Sequence, residues 1–261
     1  MLRSMYSGIS GMKNFQTKLD VIGNNVANVN TFGFKKGRTT FKDLVSQQVA
    51  GASAPTANQG GVNAKQVGLG SQLASIDTIQ TSGSIQPTGR PLDLAISGDG
   101  YFIVNDGTGN KYTRAGNFYL DQTGRIVTGD GFRLQGTGTM TIPPNAKSYS
   151  IGETGVINYV DSLGNLQTAG TIQLAKFANN EGLEKSGGNL FSVTANSGAA
   201  TTVNPGVGGA GKLVSSALEM SNVDLSEEFT EMIVAQRGFQ ANTRMITTSD
   251  QILEELVNLK R

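Results

Sequence analysis

The chain of 261 residues contains no cysteine, no histidine and no tryptophan. It therefore has no thiol nucleophile and no imidazole base, it forms no disulfide, and any metal site would need oxygen ligands alone. A chain without cysteine is compatible with every redox compartment, so this absence does not indicate where the protein resides.

Charged residues and long apolar runs are also scarce. Only 16% of the residues are charged, and 21 basic against 20 acidic residues leave a net charge of +1. Such a balance attracts neither nucleic acid nor an anionic membrane, and no run approaches the roughly 18 apolar residues of a membrane span. We expect a protein that is soluble when made, binds no nucleic acid and does not insert into a membrane. If it is exported, its N-terminus predicts export without a cleaved signal peptide.

Apolar residues recur at both ends of the chain with the spacing of seven that is typical of packed helices. In 221–261 one register of this heptad is apolar without a miss, and Ser221 or Asp224 is a candidate N-cap. Near the N-terminus, Phe15 and Ile22 flank the corresponding registers. We call the apolar heptad positions of the two helices the apolar seams and expect them to mediate self-assembly; they comprise Leu2, Met5, Ile9, Met12, Leu19, Val26, Leu225, Phe229, Met232, Phe239, Ile246, Leu253 and Val257.

The seam of one helix predicts the seam of the other as its partner, within one chain or between copies. The alternative is an α+β monomer whose end helices pack on a β domain. Between the helices, apolar residues alternate and turn sequences such as DGTGN and DSLGN recur, which predicts strands.

The predicted fold class is α+β, with N- and C-terminal coiled-coil helices and one all-β domain. The predicted segments are an N-terminal helix with an asparagine-rich turn (1–45), a long extended loop (46–84), the β domain (85–200), a glycine-rich return linker (201–220) and the C-terminal coiled-coil helix (221–261).

Several motifs suggest chemistry, but none has the context that the chemistry needs. The sequence GVGGAGK at 206–212 resembles a phosphate-binding loop, yet no apolar strand precedes it and Leu213 replaces the Ser or Thr that would hold magnesium. Two GDG tracts lack the alternating carboxylates of a calcium loop. The carboxylates of the β region show no spacing that selects a catalytic pair, and its arginines are too scattered for a nucleic-acid surface. We predict no catalytic, cofactor or metal residues and no enzyme.

Three long stretches resemble the bacterial flagellar axial proteins, the family of rod, hook and hook–filament junction subunits. LDVIGNNVANVNTFGFKKGRTTFKDL resembles the N-terminal signature, and SNVDLSEEFTEMIVAQRGFQANTRMITTSDQILEELVNLKR resembles the C-terminal one. TGRPLDLAISGDGYFIV and YTRAGNFYLDQTGRIVTGDGFRL resemble the beginning of the family's β domain.

The resemblance implies a structural subunit of a tubular, helical homo-polymer. The terminal helices would form an inner domain that faces a central export channel, with the β domain outside. The implied partners are flagellar rod, hook-cap and hook–filament junction proteins and the type III export apparatus, and no cofactor is implied. The implied location is extracellular, in the hook and basal body of the flagellum.

Within the family, TGRPLD, SNVDLS and LVNLKR are more similar to hook than to rod sequences. We therefore expect a hook subunit, which transmits motor torque to the filament as a flexible joint. The alternative is a distal rod subunit, part of a rigid drive shaft, because a chain with room for only one β domain has the length of that protein.

The stretch GNNVANVNTFGFKK at 23–36 places asparagines where a helix should end. Asparagine competes for backbone hydrogen bonds and tolerates left-handed conformations, so it suits the end of a helix. The next glycine permits a chain reversal and the phenylalanine after it packs underneath. The residues of this predicted family turn motif are Asn24, Asn25, Asn28, Asn30, Gly33 and Phe34.

Overall fold

A computed structural model describes residues 2–56 and 60–259, apart from the side chain of Leu2. The chain divides into two compact units. We call the first, formed by 1–26, 37–77 and 224–261, the helical unit, and the second, formed by 27–36 and 78–223, the β unit.

The helical unit contains both helices, α1 (Leu2–Ala27) and α2 (Leu225–Asn258), and four strands. Asp224 caps α2, because its carboxylate accepts a hydrogen bond of 2.8 Å from the backbone N–H of Ser226. Two acidic residues in the first turn complement the positive end of the helix dipole. The predicted long C-terminal helix and one of its two candidate caps are thus confirmed.

The strands of the helical unit form two small sheets. Their bounds are β1 (Gly37–Asp43), β2 (Gln47–Ala50), β3 (Lys65–Val67) and β4 (Ser71–Thr78). Strand β1 pairs with β4, and β2 pairs antiparallel with β3. Every residue of β2 and β3 is exposed to solvent.

The β unit contains the other strands and one short 3₁₀ turn (Asn180–Gly182). The strands are β5 (Ile85–Pro87), β6 (Leu94–Ser97), β7 (Tyr101–Asn105), β8 (Asn110–Thr113), β9 (Tyr119–Leu120), β10 (Ile126–Val127), β11 (Arg133–Leu134), β12 (Gly136–Gly138), β13 (Ser148–Ile151), β14 (Val156–Val160), β15 (Leu166–Ile172), β16 (Leu174–Lys176), β17 (Glu184–Gly187), β18 (Leu190–Ser192), β19 (Thr201–Val203), β20 (Lys212–Ser215) and β21 (Ala217–Glu219).

Antiparallel pairing organises these strands into sheets. The largest has the order β17-β18-β8-β7-β11-β10-β9, with β16 pairing with β7 and β19 pairing with β16. A second sheet has the order β12-β15-β14-β13, and two further pairs join β20 to β6 and β21 to β5. The strand pattern predicted for 85–200 is confirmed by these pairings.

Strand β7 lies at the centre of the β unit because both of its faces are covered. Phe102 and Val104 belong to the main apolar core, whereas Tyr101 and Ile103 belong to a smaller core on the other face. The ring of Phe102 meets that of Phe118 edge to face at 5.1 Å. A strand buried on both faces needs a continuous apolar run, and YFIV provides one.

Two segments predicted without regular structure contain strands. The predicted loop 46–84, of which 57–59 lie outside the described residues, contains β2, β3 and β4. The predicted linker 201–220 contains β19, β20 and β21, and Leu213 in β20 is only 1% exposed. The linker prediction was wrong because pairing with the distant strands β5, β6 and β16 decides these conformations.

Candidate assembly surfaces

Helices α1 and α2 contact each other along much of their length within the helical unit. The contacting positions descend along α2 as they ascend along α1, so the two helices run antiparallel. The contacts join Gly8 to Ile246, Gly11 to Asn242, Met12 to Thr243, Phe15 to Gly238, Lys18 to Glu231 and Asn25 to Glu228.

Glycine makes the close approach of the two helices possible. A Cβ atom on Gly238 would lie 2.5 Å from Cζ of Phe15, and one on Gly11 would lie 2.9 Å from Nδ2 of Asn242. A Cβ atom on Gly8 would lie 3.3 Å from Cγ1 of Ile246. Small residues at these positions let side chains of the partner helix sit directly on the backbone.

Polar contacts complete the pair near the end of α1. Lys18 forms an ion pair with Glu231, and the buried Asn25 donates a hydrogen bond of 3.1 Å to the buried carboxylate of Glu228. The same amide exchanges two hydrogen bonds of 2.9 Å with the backbone of Gly37 at the start of β1. Asn25 therefore fixes α1, α2 and β1 together.

Apart from Met12 and Ile246, the contact positions do not coincide with the predicted apolar seams. On α1 they fall one residue before the seam, at Gly8, Gly11, Phe15 and Lys18. On α2 the buried residues are Glu228, Ala235 and Ser249, each three residues after a position of the predicted register. Hydrophobicity alone does not mark these positions, because large apolar residues such as Phe15 and Ile246 contact glycines and stand among small and polar residues.

The predicted seam residues are distributed around the helix pair. The half-buried ones are Met5, Met12, Leu19, Val26, Met232, Phe239, Ile246 and Leu253. The exposed ones are Ile9, Leu225, Phe229 and Val257, and the side chain of Leu2 lies outside the described residues. Their role in self-assembly stays a prediction.

Large apolar side chains are exposed along both helices. Phe229 and Ile233 are 49% and 60% exposed, and Tyr6 of α1 is 70% exposed. The other exposed apolar side chains of the helices are Ile9, Leu225, Val234, Met245, Ile252, Leu256 and Val257. We call this set, with Tyr6, Phe229 and Ile233, the exposed helix face. Many large apolar side chains exposed on the same two helices are the basis on which we infer an interaction surface.

The asparagine-rich stretch ends α1 as predicted. The helix stops at Ala27, and Thr31 donates backbone and side-chain hydrogen bonds of 3.1 and 3.2 Å to Asn28. Asn24 is an exposed residue within the helix, whereas Asn30 is exposed in the turn that follows.

The predicted reversal at Gly33 is also confirmed. Its φ of +69° lies in the left-handed region, and a Cβ atom there would come within 2.6 Å of the backbone of Arg114. Phe34 is buried, and the ammonium of Lys185 lies 4.8 Å from the centre of its ring. Whether this turn motif serves assembly stays a prediction.

A buried charged cluster follows the turn, and sequence analysis did not predict it. Within the β unit, Lys35, Arg114 and Glu219 have side chains no more than 2% exposed. Burial lowers the pKa of Lys35, although the carboxylate of Glu219 acts in the opposite direction. Burial also raises the pKa of the neighbouring Tyr101 to about 12. Single charged residues far apart in sequence carry no local signal of such a cluster.

The motifs that resemble ligand sites form turns. Gly206, Gly208 and Gly209 all have positive φ, and the chain continues from them into β20 and not into a helix. Positive φ at Gly98 and Gly131 likewise places the two GDG tracts in turns. Among residues 2–56 and 60–259, no group of three acidic residues is arranged to hold a metal ion. In the same ranges, no helix is long and apolar enough to cross a membrane.

The fold and these surfaces define an α+β protein with an antiparallel pair of terminal helices and exposed apolar area along both. Three family descriptions match the chain: "Flagella basal body rod protein" over 5–35, "Flagellar hook protein FlgE/F/G D1 domain" over 95–159 and "Flagellar basal body rod FlgEFG protein C-terminal" over 214–259.

Complete relatives agree with these matches. The chain is 62% identical to the flagellar basal-body rod protein FlgG of Bacillus subtilis and 41% identical to FlgG of Caulobacter vibrioides, with at least 99% of each chain covered. It is 31% identical to the flagellar hook protein FlgE of Borreliella burgdorferi over the whole of both chains. The chain belongs to the family of flagellar rod and hook proteins, which are structural proteins and not enzymes.

The comparisons favour the distal rod, the alternative, over the expected hook subunit. The alignment with the rod protein of Bacillus subtilis spans 264 positions, close to the 261 residues of this chain, whereas the alignment with the hook protein spans 441. Both identity and length thus favour the alternative, a distal rod subunit. The two terminal signatures did not distinguish rod from hook, because rod and hook proteins share them.

Proposed function

We propose that this chain is a subunit of the distal rod of the bacterial flagellum, the part of the basal body that acts as a rigid drive shaft. The observation that carries the proposal is 62% identity with a rod protein over the full length of both chains. The subunit polymerises with copies of itself into a helical tube. In this assembly the two terminal helices form a coiled-coil inner domain and the β unit lies outside.

The exposed helix face provides the contacts between copies. Its apolar side chains stay exposed to solvent although the two helices contact each other. Covering them against another copy removes apolar area from water, at about 25 cal/mol per Å². Contacts between two different patches of the same chain generate an open helical polymer when the rotation from one copy to the next does not close a ring.

The remaining expectations belong to the same proposal. The polymer adjoins other axial proteins of the flagellum, and its subunits reach their place through the type III export apparatus without a cleaved signal peptide. The family turn motif at 24–34 holds the end of α1 in a conformation that suits packing in the tube.

The location is tested by immunogold electron microscopy of intact basal bodies with antibody against this chain. Label along the straight shaft within the envelope is the expected result. Label on the curved segment outside the envelope would assign the chain to the hook and refute the proposal.

The contact surface is tested by Ile233→Gln, which makes the exposed helix face more polar. We expect loss of polymer, measured by sedimentation, with a stability change of the monomer within about 0.5 kcal/mol. Val193→Gln is the matched control, because Val193 is an exposed apolar residue outside the helices. Polymer formation by Ile233→Gln equal to that of the control would contradict the assigned surface.

A further inference from the structure

The buried charged cluster of the β unit is not explained by assembly. Lys35, Arg114 and Glu219 are at least 98% covered within a single chain, so they cannot contact another copy. Burying charges is costly, and apolar residues of similar volume often serve stability as well or better. A cluster of this kind therefore calls for a role that apolar packing cannot fill.

The Glu219 carboxylate uses both of its oxygens. Oε1 accepts hydrogen bonds from Nζ of Lys35 at 2.5 Å and from the backbone N–H of Gly83 at 3.0 Å, and Oε2 accepts from Nη1 of Arg114 at 3.2 Å. Nζ of Lys35 also donates to the carbonyl of Thr81 at 2.8 Å. One carboxylate thus binds side chains and backbone from three other places in the sequence.

Neighbouring contacts reinforce the same junction. The N–H of Gly33 donates to the carbonyl of Glu219 at 2.8 Å, and the N–H of Lys36 donates to Oδ1 of Asn222 at 2.7 Å. The amide of Asn222 donates in turn to the carbonyl of Ile79 at 2.9 Å. The segments tied together are those where the chain enters or leaves the β unit, namely 33–36, 79–83 and 219–222.

The charges of the cluster are unequal, with two cations on one carboxylate. The ring of Tyr101 gives partial compensation, because its centre lies 5.2 Å from Cζ of Arg114. Removing Lys35 leaves a balanced pair, whereas removing the charge of Glu219 leaves two buried cations without a counterion from the cluster. The carboxylate is therefore the member on which the junction depends.

We propose that Glu219 is a positioning residue that clamps the three segments at which the chain enters or leaves the β unit. The clamp opens as a local unit, while the central strands β7 and β8 stay paired. In sequence, segment 33–36 follows α1 and segment 219–222 precedes α2. This inference goes beyond the proposed function and does not depend on it.

Hydrogen exchange of the full chain tests the clamp. In Glu219→Gln, the amides of Gly33, Lys36 and Gly83 should exchange on the order of 100-fold faster, the scale of stranding a buried charge. The amides of β7 and β8 should exchange at the rate of the unaltered chain. In Lys35→Met, the same three amides should exchange only about 10-fold faster, since the balanced pair remains.

Glu153→Gln is the matched control, because Glu153 forms an exposed ion pair with Lys212 at 3.4 Å. It should leave every rate unchanged. Unchanged rates in Glu219→Gln would overturn the proposal, as would equal acceleration throughout the β unit. If Glu219→Gln does not fold, Lys35→Met still measures whether the junction opens locally. If both variants fold, larger effects in Lys35→Met than in Glu219→Gln would also contradict the clamp.

Discussion

Replacing Gly238 with alanine tests how closely α1 and α2 approach each other. The added Cβ atom would lie 2.5 to 2.8 Å from three atoms of the Phe15 ring, Cζ, Cε1 and Cε2. Because three atoms of a rigid ring are involved, rotation about one bond does not relieve the overlap. The ring or the helix backbone must move by several tenths of an ångström.

Two effects of opposite sign set the magnitude. Alanine is more favourable than glycine inside a helix by about 1 kcal/mol. Overpacking of a well-filled contact costs about 1–3 kcal/mol. Gly23 lies on α1 with no atom within 4 Å of a built Cβ, so Gly23→Ala gains the first effect without the second. We therefore expect Gly238→Ala to be less stable than Gly23→Ala by about 1–3 kcal/mol.

The assay is urea unfolding of the full chain followed by circular dichroism at the helix band. Gly23→Ala should raise the free energy of unfolding and Gly238→Ala should not. Combining Gly238→Ala with Phe15→Leu should recover much of the loss, because the smaller side chain leaves room for the added methyl group. If Gly238→Ala stabilised the chain as much as Gly23→Ala does, the close approach of the helices would be refuted.

Two further predictions concern buried polar groups. Asn25→Ala should destabilise the helical unit by about 1–3 kcal/mol, because it leaves buried partners without hydrogen bonds; Asn30→Ala, at an exposed position, is the control in the same urea assay, and equal effects would contradict the role of Asn25. Burial raises the pKa of Tyr101 from about 10 in the unfolded chain to about 12. Its contribution to stability is fully present below pH 10 and is lost as the pH rises towards 12, by roughly 2–3 kcal/mol. The free energy of unfolding of Tyr101→Phe should not show this fall at high pH. Lys35, whose lowered pKa acts in the opposite direction, contributes equally to the unaltered chain and to Tyr101→Phe. An identical pH dependence of the two chains would contradict the assignment.

Local features of the fold were predictable because their causes are local. The cap of α2 needs only a carboxylate before an acidic first turn, and the end of α1 needs only residues that compete with helical hydrogen bonds. Gly33 was recognisable for the same reason, since a reversal favours the residue without a Cβ atom. The strands of 85–200 were predictable in the same way, from alternating apolar residues and recurring turn sequences.

The strands in 201–220 were not predicted, and the comparisons favour the rod, which the sequence analysis gave only as the alternative to the hook. The glycine-rich composition of this segment is typical of a linker. Its strand β20 forms by pairing with β6, which lies more than 100 residues earlier in the sequence. Terminal signatures identified the family but did not separate its members. Chain length did carry that information, because the hook relative requires a much longer alignment.

The sequence by itself determined the α+β class, the two terminal helices, the turn between α1 and β1 and the family. Only the tertiary structure decided the register of the helix pair and the burial of Lys35, Arg114 and Glu219. Apolar periodicity shows that a helix has a preferred face, but the contact between these helices depends on glycines that receive Phe15, Asn242 and Ile246 of the opposite helix. Such contacts depend on the shapes of two surfaces that are distant in sequence, and shape complementarity exists only after the chain has folded.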